Sequence, residues 1–243
     1  MNIVIPLGGL GKRFEDEGFL DPKPLIPIDG KPMIIWAIES LGISGNFIFI
    51  LRKSPSSDSI KYVIKEHIPD CVIEEIDYLT DGPASTCLVA KSYINNNEKL
   101  IIANCDQIMW WNGDYFLNAA NHTDYDGMIV TYYANTSKNS YATLDKRGYV
   151  SSIKEKEVIS NISLNGIHYW KCGKYFVESA EQMITQNDRA INGEFYIGPS
   201  YNHMIKNNKK IGIFHIPEFQ HNAVGTPDDL REFTRKNSTN EHL

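Results

Sequence analysis

The chain opens with a short apolar run over 3–7, and a second run, Phe47-Ile48-Phe49-Ile50-Leu51, has no polar interruption. Apolar runs of this length predict strands covered on both faces, as in parallel sheets. Between them, 32–41 carries apolar residues at helical spacing with Pro32 in its first turn. The alternation continues with a helix over 57–67, a strand over 71–76, a helix over 84–93 and a strand over 100–103 that runs into Asn104-Cys105-Asp106. Strand–helix alternation of this kind predicts an α/β fold with a mainly parallel sheet flanked by helices.

The second half changes rhythm. Strands are predicted over 127–133 and 141–153, the latter folded back at Asp145-Lys146-Arg147-Gly148, and again over 165–170. Helices follow over 175–184 and 195–206, then a strand over 211–216 and a closing helix over 228–235. No linker, repeat or low-complexity stretch divides the chain, so one domain over 1–243 is expected: a mixed, mainly parallel Rossmann-like sheet plus a smaller β subregion. The polar tail over 236–243 is expected to fray.

Composition narrows the class. With 243 residues, 42% hydrophobic and 22% charged, the chain is ordinary for one globular domain. A net charge of -6 argues against a nucleic-acid partner, which favours a basic face. No apolar run reaches the roughly 20 residues that span a bilayer, so no membrane association is expected. The first residues read as a strand without a signal-peptide pattern. Cys71, Cys87, Cys105 and Cys172 are scattered, without metal-ligand spacing, which fits a reduced, cytoplasmic protein.

Candidate chemistry concentrates at Leu7-Gly8-Gly9-Leu10-Gly11-Lys12-Arg13, followed by Pro22-Lys23-Pro24-Leu25. A Walker A loop is excluded, because Pro6 stands at its first glycine and Arg13 follows Lys12 where Ser or Thr is needed. A dinucleotide fingerprint fails as well, since Phe14 replaces its third glycine. Backbone chemistry remains. Gly8, Gly9 and Gly11 allow amide N–H groups to face phosphate oxygens, while Lys12 and Arg13 add charge. A glycine-rich turn with solvated cations would look the same in isolation.

These segments, with Gly30-Lys31-Pro32-Met33-Ile34, resemble the signature of the sugar-phosphate nucleotidylyltransferases. Further segments continue the resemblance in order: Asp81-Gly82-Pro83-Ala84-Ser85 at the nucleotide-base loop, Asn104-Cys105-Asp106 at the metal position, Val150 to Lys156 ending in Glu155-Lys156, Asn165-Gly166-Ile167-His168-Tyr169, Gly193-Glu194, and Val224-Gly225-Thr226-Pro227-Asp228-Asp229-Leu230. Two departures stand out: Ala223 falls where a second metal-binding aspartate is usual, and Glu157 replaces the proline that usually follows Glu-Lys. The spacing is similar to a compact branch linked to bacterial capsule and surface-polysaccharide synthesis.

The resemblance implies a GT-A-like variant of the fold, with nucleotide handling over about 1–125 and acceptor handling over about 126–235. It implies transfer of a nucleotidyl group, CMP favoured, from a triphosphate to a phosphorylated small molecule, with release of pyrophosphate and Mg²⁺ as cofactor. Arg13 and Lys23 would be catalytic. Leu7, Gly8, Gly9, Gly11, Lys12, Asp81, Gly82, Ser85 and Thr86 would hold the nucleotide, Asp106 the metal, and Lys156, Gly166 and Glu194 the acceptor. A homo-oligomer is compatible with the sequence.

Each role has a plainer alternative. Asp106 could be a strand-end cap, Lys156 part of a solvated charge run, Glu194 a first-turn acid favoured by the helix dipole. His168, His203, His215 and His221 lack metal spacing and read as structural or surface residues. Trp110 and Trp111 read as packing residues or as walls of an acceptor pocket. Two other functions stay open. A nucleotide-sugar glycosyltransferase would want D-x-D, but Asn104 and Ile108 flank Asp106 at the required spacing. A non-catalytic nucleotide-binding protein is the other.

Overall fold

The computed structural model describes residues 1–238. In chain order its elements are β1 (Asn2–Leu7), α1 (Lys12–Asp16), β2 (Pro27–Ile28), β3 (Lys31–Pro32), α2 (Met33–Leu41), β4 (Asn46–Arg52), α3 (Ser57–His67), β5 (Val72–Ile76), α4 (Pro83–Leu88), α5 (Lys91–Ile94), β6 (Leu100–Ala103) and β7 (Gln107–Met109). They continue with α6 (Gly113–Asn121), β8 (Gly127–Tyr133), β9 (Ser140–Leu144), β10 (Val150–Glu155), β11 (Ile162–Trp170), α7 (Gly173–Thr185), α8 (Ile197–Lys206), β12 (Ile211–His215), β13 (His221–Ala223) and α9 (Pro227–Ser238).

The central sheet has nine strands. β5, β4, β1 and β6 lie side by side and parallel, and antiparallel β11 follows β6. β11 also pairs antiparallel with β8, β8 runs parallel to β12, and the β9–β10 hairpin joins β11 at Ser163. This is the expected mixed, mainly parallel sheet. The strand order reverses between β1 and β6, the kind of switch point where open α/β sheets bind ligands beyond their carboxyl ends.

The apolar runs alternate faces as a twice-covered sheet requires. Ile3, Ile5 and Leu7 of β1 join Phe47, Phe49 and Leu51 of β4 in one core under α2, α3 and α6. Val4, Ile48 and Ile50 point the other way, into a core with Cys87, Phe176, Val177 and Tyr201 from α4, α7 and α8. A third cluster, Phe14, Ile26, Ile28, Met33, Ile108, Val224, Leu230 and Phe233, ties the helix after the glycine loop to β7, to α9 and to the residue that follows β13.

Several boundaries differ from expectation. The helix over 84–93 is broken at Val89 and Ala90 into α4 and α5. The helix expected from 195 begins at Ile197, because Phe195 instead bonds the backbone of Asp81. The elements α1, β2, β3, β7, α6 and β13 were not predicted; the four strands among them span only two or three residues, too few to show periodicity. α9 extends past the expected helix, and residues 239–243 of the polar tail lie outside the described residues. Among the described residues, no helix is long and apolar enough to cross a membrane.

Candidate active site

β1 and β6 end side by side, so the chain segments leaving them meet. The segment after β1 turns at Gly11, whose left-handed backbone (φ 68°) enters α1. A Cβ there would lie 3.3 Å from the Cβ of Lys23, so the glycine lets the Lys23 arm pack against the loop. Phe14, the residue that ruled out the dinucleotide fingerprint, is 1% exposed in the third core and pins the loop's far end. Lys12 and Arg13 remain exposed.

Lys23 reaches across to Asp106, its Nζ donating to Oδ2 at 2.5 Å. Both side chains are partly shielded, 20% and 26% exposed. Burial alone would lower the Lys23 pKa, but the adjoining Asp106 carboxylate, aided by the hydrogen bond, lifts it above the ordinary lysine value. Burial alone would raise that of Asp106, yet attraction and hydrogen bonding from Lys23, a backbone hydrogen bond and the nearby Arg13 hold it below the usual carboxylate range. Both groups are therefore charged at neutral pH.

β13 lies antiparallel to β7, with Ala223 opposite Gln107, and the Val224 N–H donates to the Asp106 carbonyl at 2.9 Å. Ala223 is thus one register position from Asp106, presenting a methyl group. A cavity of about 970 Å³ opens over this point. Arg13, Lys23, Asp106 and Gly166 line it, as do Ala223 and Tyr196.

The remaining candidates surround this cavity or stand apart from it. Gly8 is buried against Thr86 of α4, where a Cβ would approach the Thr86 side chain to 3.0 Å. The Thr86 hydroxyl lies 2.6 Å from that of Thr80 and donates to the Gly82 carbonyl at 3.1 Å. Leu7 is buried, Gly9 exposed and Ser85 half-buried. The Asp81 carboxylate is turned outward, held 2.8 Å from Arg189 in an ion pair.

Lys156 and Glu194 converge on one phenol. Lys156 Nζ donates to the Tyr196 hydroxyl at 2.8 Å, and that hydroxyl donates to Glu194 Oε2 at 2.5 Å. Lys156 adopts a left-handed backbone (φ 59°) just past β10, and α8 begins only at Ile197. Hence Lys156 is not on a solvated strand face, and Glu194 is not a first-turn acid of α8. Tyr196, rather than either charged residue, lines the cavity.

Sequence reasoning missed the polar floor. Gln107 Nε2 and Asn165 Nδ2 lie 3.0 and 2.9 Å from His221 Nδ1, and the Tyr132 ring stacks on His221 at 4.1 Å. Burial lowers the His221 pKa to about 4 and that of His168 to about 3, so both rings are neutral at physiological pH. Neither has a partner nearby in sequence, so spacing held no signal. Trp110 and Trp111 pack against Phe233 and Phe116 respectively and do not wall the cavity.

A metal fits here only in part. Among the described residues, no group of three or more His, Cys, Asp or Glu side chains could hold an ion. Asp106 offers one hard carboxylate oxygen donor at the cavity, suited to Mg²⁺ when phosphate oxygens and water complete the shell.

The structure thus sets a cation–carboxylate pair, Lys23 and Asp106, at the switch point of a doubly covered α/β sheet. Residues 3–155 match the MobA-like NTP transferase domain, and the chain belongs to that family. It is 25% identical over 232 residues to the bifunctional protein GlmU of Methanocaldococcus jannaschii; that match takes in 96% of this chain and 53% of GlmU, so the chain spans about half the length of this curated relative. Among solved structures, a nucleoside-diphosphate-sugar pyrophosphorylase from Vibrio cholerae superposes with a TM-score of 0.84 at 23% identity, covering 96% of this chain and 99% of that one. The inositol-1-phosphate CTP transferase of T. maritima gives 0.75 at 13% identity, covering 100% and 97%. At these identities the structural matches speak to fold.

Proposed function

We propose that this protein is a nucleotidyltransferase that moves a nucleotidyl group from a nucleoside triphosphate to the phosphate of a small metabolite and releases pyrophosphate. The observation that carries this reading is the Lys23–Asp106 pair, charged on both sides and set at the switch point beside Arg13 in a large polar cavity. Membership of an NTP transferase family supports it. The acceptor phosphate, with about -1.5 to -2 charge at neutral pH, is itself the nucleophile, so no protein base is required. The protein's task is positioning and stabilisation of charge. Arg13 and Lys12 hold the β- and γ-phosphates, Lys23 neutralises charge developing at the α-phosphate, and Leu7, Gly8, Gly9 and Gly11 supply the loop that cradles them. Asp106 holds Mg²⁺, which when bound spreads the negative charge of the triphosphate.

Gly82, Ser85 and Thr86 sit at the base and ribose, with Asp81 shaping that loop from behind through Arg189. Gly166, Lys156 and Glu194 belong to the acceptor side, the latter two through Tyr196. Nucleotide handling falls to about residues 1–125 and acceptor handling to about 126–235 of one domain. The finer reading is CTP with L-glutamine phosphate, giving CDP-L-glutamine for capsule or surface-polysaccharide synthesis in the cytoplasm. It rests on sequence resemblance to CTP:phosphoglutamine cytidylyltransferase and on a structural neighbour named as a CTP transferase.

Pyrophosphate release, measured with each of the four triphosphates against phosphorylated acceptors including L-glutamine phosphate and sugar 1-phosphates, tests the whole reading. Release with CTP and L-glutamine phosphate above every other pair is expected. Triphosphate binding without release from any pair would leave a non-catalytic nucleotide-binding protein.

A further inference from the structure

We infer that Lys23 is the resident cation of Asp106 in the nucleotide-free protein, so that the site admits a divalent metal only together with a triphosphate. The inference rests on the proposed reading of Asp106 as the metal ligand and adds a second role for Lys23. Four observations carry it. Lys23 Nζ donates to Asp106 Oδ2 at 2.5 Å, so a metal would find one of the two carboxylate oxygens already taken. The Gly225 backbone lies beside the same oxygen, since a Cβ built there would come within 2.6 Å of it. The position opposite Gln107, where a second carboxylate would reinforce the site, is Ala223. No cluster of three acidic, His or Cys ligands exists among the described residues to hold an ion independently.

The energetics follow from charge. A metal arriving alone gains one carboxylate and must expel an ammonium group whose only compensation is water. A metal arriving with a triphosphate brings anionic oxygens that complete its shell. The same oxygens give the displaced Lys23 a new partner of higher charge than the one it leaves. Lys23 thus moves from carboxylate to phosphate as the substrate enters, and it reaches the α-phosphate only when metal has taken its place. A site with two carboxylates would lack this coupling, since it could hold metal without nucleotide.

The test uses the full chain and Mn²⁺, whose free aqua ion is read by electron paramagnetic resonance. Without nucleotide, wild-type protein should leave nearly all Mn²⁺ free. Lys23→Met, which keeps the length and removes the charge, should bind Mn²⁺ at least tenfold more tightly, and Lys23→Arg should stay as weak as wild type. Equal Mn²⁺ affinity in wild type and Lys23→Met would overturn the inference. If circular dichroism shows Lys23→Met unfolded, wild type decides alone, tested with the α,β-methylene analogues of ATP, CTP, GTP and UTP in turn. More Mn²⁺ bound by protein and one analogue together than by the two separately supports the inference, and no such excess with any of the four overturns it. Failure of pyrophosphate release alongside a tighter Lys23→Met would sink the proposed reaction and leave the Lys23 inference standing.

Discussion

At the scale of single residues, two side chains, Lys23 and Tyr196, bind together segments remote in sequence. Lys23→Ala and Asp106→Ala should each cut turnover about a hundredfold or more, the cost of losing one charge-stabilising group from a preorganised site. Their circular dichroism should match wild type, because both side chains are partly exposed at a cavity. Wild-type rates in either folded variant would remove it from the mechanism. Tyr196→Phe makes a subtler case. Its hydroxyl spends its proton on Glu194 and accepts from Lys156 and from Asn192 at 2.9 Å. Losing that joint frees Lys156 and leaves Glu194 held by Asn192 Nδ2 at 2.6 Å, so acceptor KM should rise about tenfold, the worth of roughly one charged hydrogen bond, while triphosphate KM and kcat hold. An equal change in triphosphate KM would show a general defect instead. None of this joint was legible beforehand. Lys156 and Glu194 came from resemblance, but the phenol between them has no signature, since its role exists only once β10 and α8 pack together.

At the scale of elements, legibility followed length. β1, β4 and β6 announced themselves because five or more apolar residues in a row need cover on both faces, or because a shorter run ended in a distinctive acid. β7 and β13 did not, although they bring Ala223 beside Asp106; three-residue strands have no period, and it is Ile108 of β7 and Val224, just past β13, that anchor the pair in the third core. β11 hides another device. Its register with β8 shifts between Leu164 and His168, and within the shift Gly166 has φ 102°. A Cβ there would lie 2.3 Å from Asn104 Nδ2 and 2.9 Å from Gln107 Oε1. Bulges of this kind re-aim side chains near active sites, and this one sets Asn165 toward His221. Gly166→Ala should destabilise the protein by more than about 1 kcal/mol, since both its dihedral angle and its space are unfavourable. Urea unfolding measures this directly; an unchanged midpoint would mean that the chain relaxes out of the left-handed conformation at 166 as well as moving Asn104 aside.

At the scale of the whole molecule, stability should depend on acid through its buried imidazoles. His168 is 4% exposed, lies 6.0 and 5.8 Å from the mutually stacked rings of Trp170 and Tyr201, and has no partner for Nδ1; burial takes its pKa down to about 3. An unfolded histidine titrates near about 6.5. Between these values the unfolded chain binds the proton and the folded one does not, so the stability His168 contributes is complete above about pH 6.5 and drains away as pH falls toward about 3. His221 behaves likewise down to about 4. Asp106 acts in the same direction, since its depressed pKa makes its contribution fade only in stronger acid. The Lys23 contribution is lost instead at alkaline pH, above the lysine range. The free energy of unfolding should therefore fall by a few kcal/mol, in order of magnitude, between pH 7.5 and pH 5. His168→Phe keeps an aromatic ring against Trp170 and Tyr201 and removes the titrating group, so its unfolding free energy should fall less over that interval. Urea titrations of both proteins at the two pH values read the difference, and parallel losses would mean that the proton is taken up elsewhere.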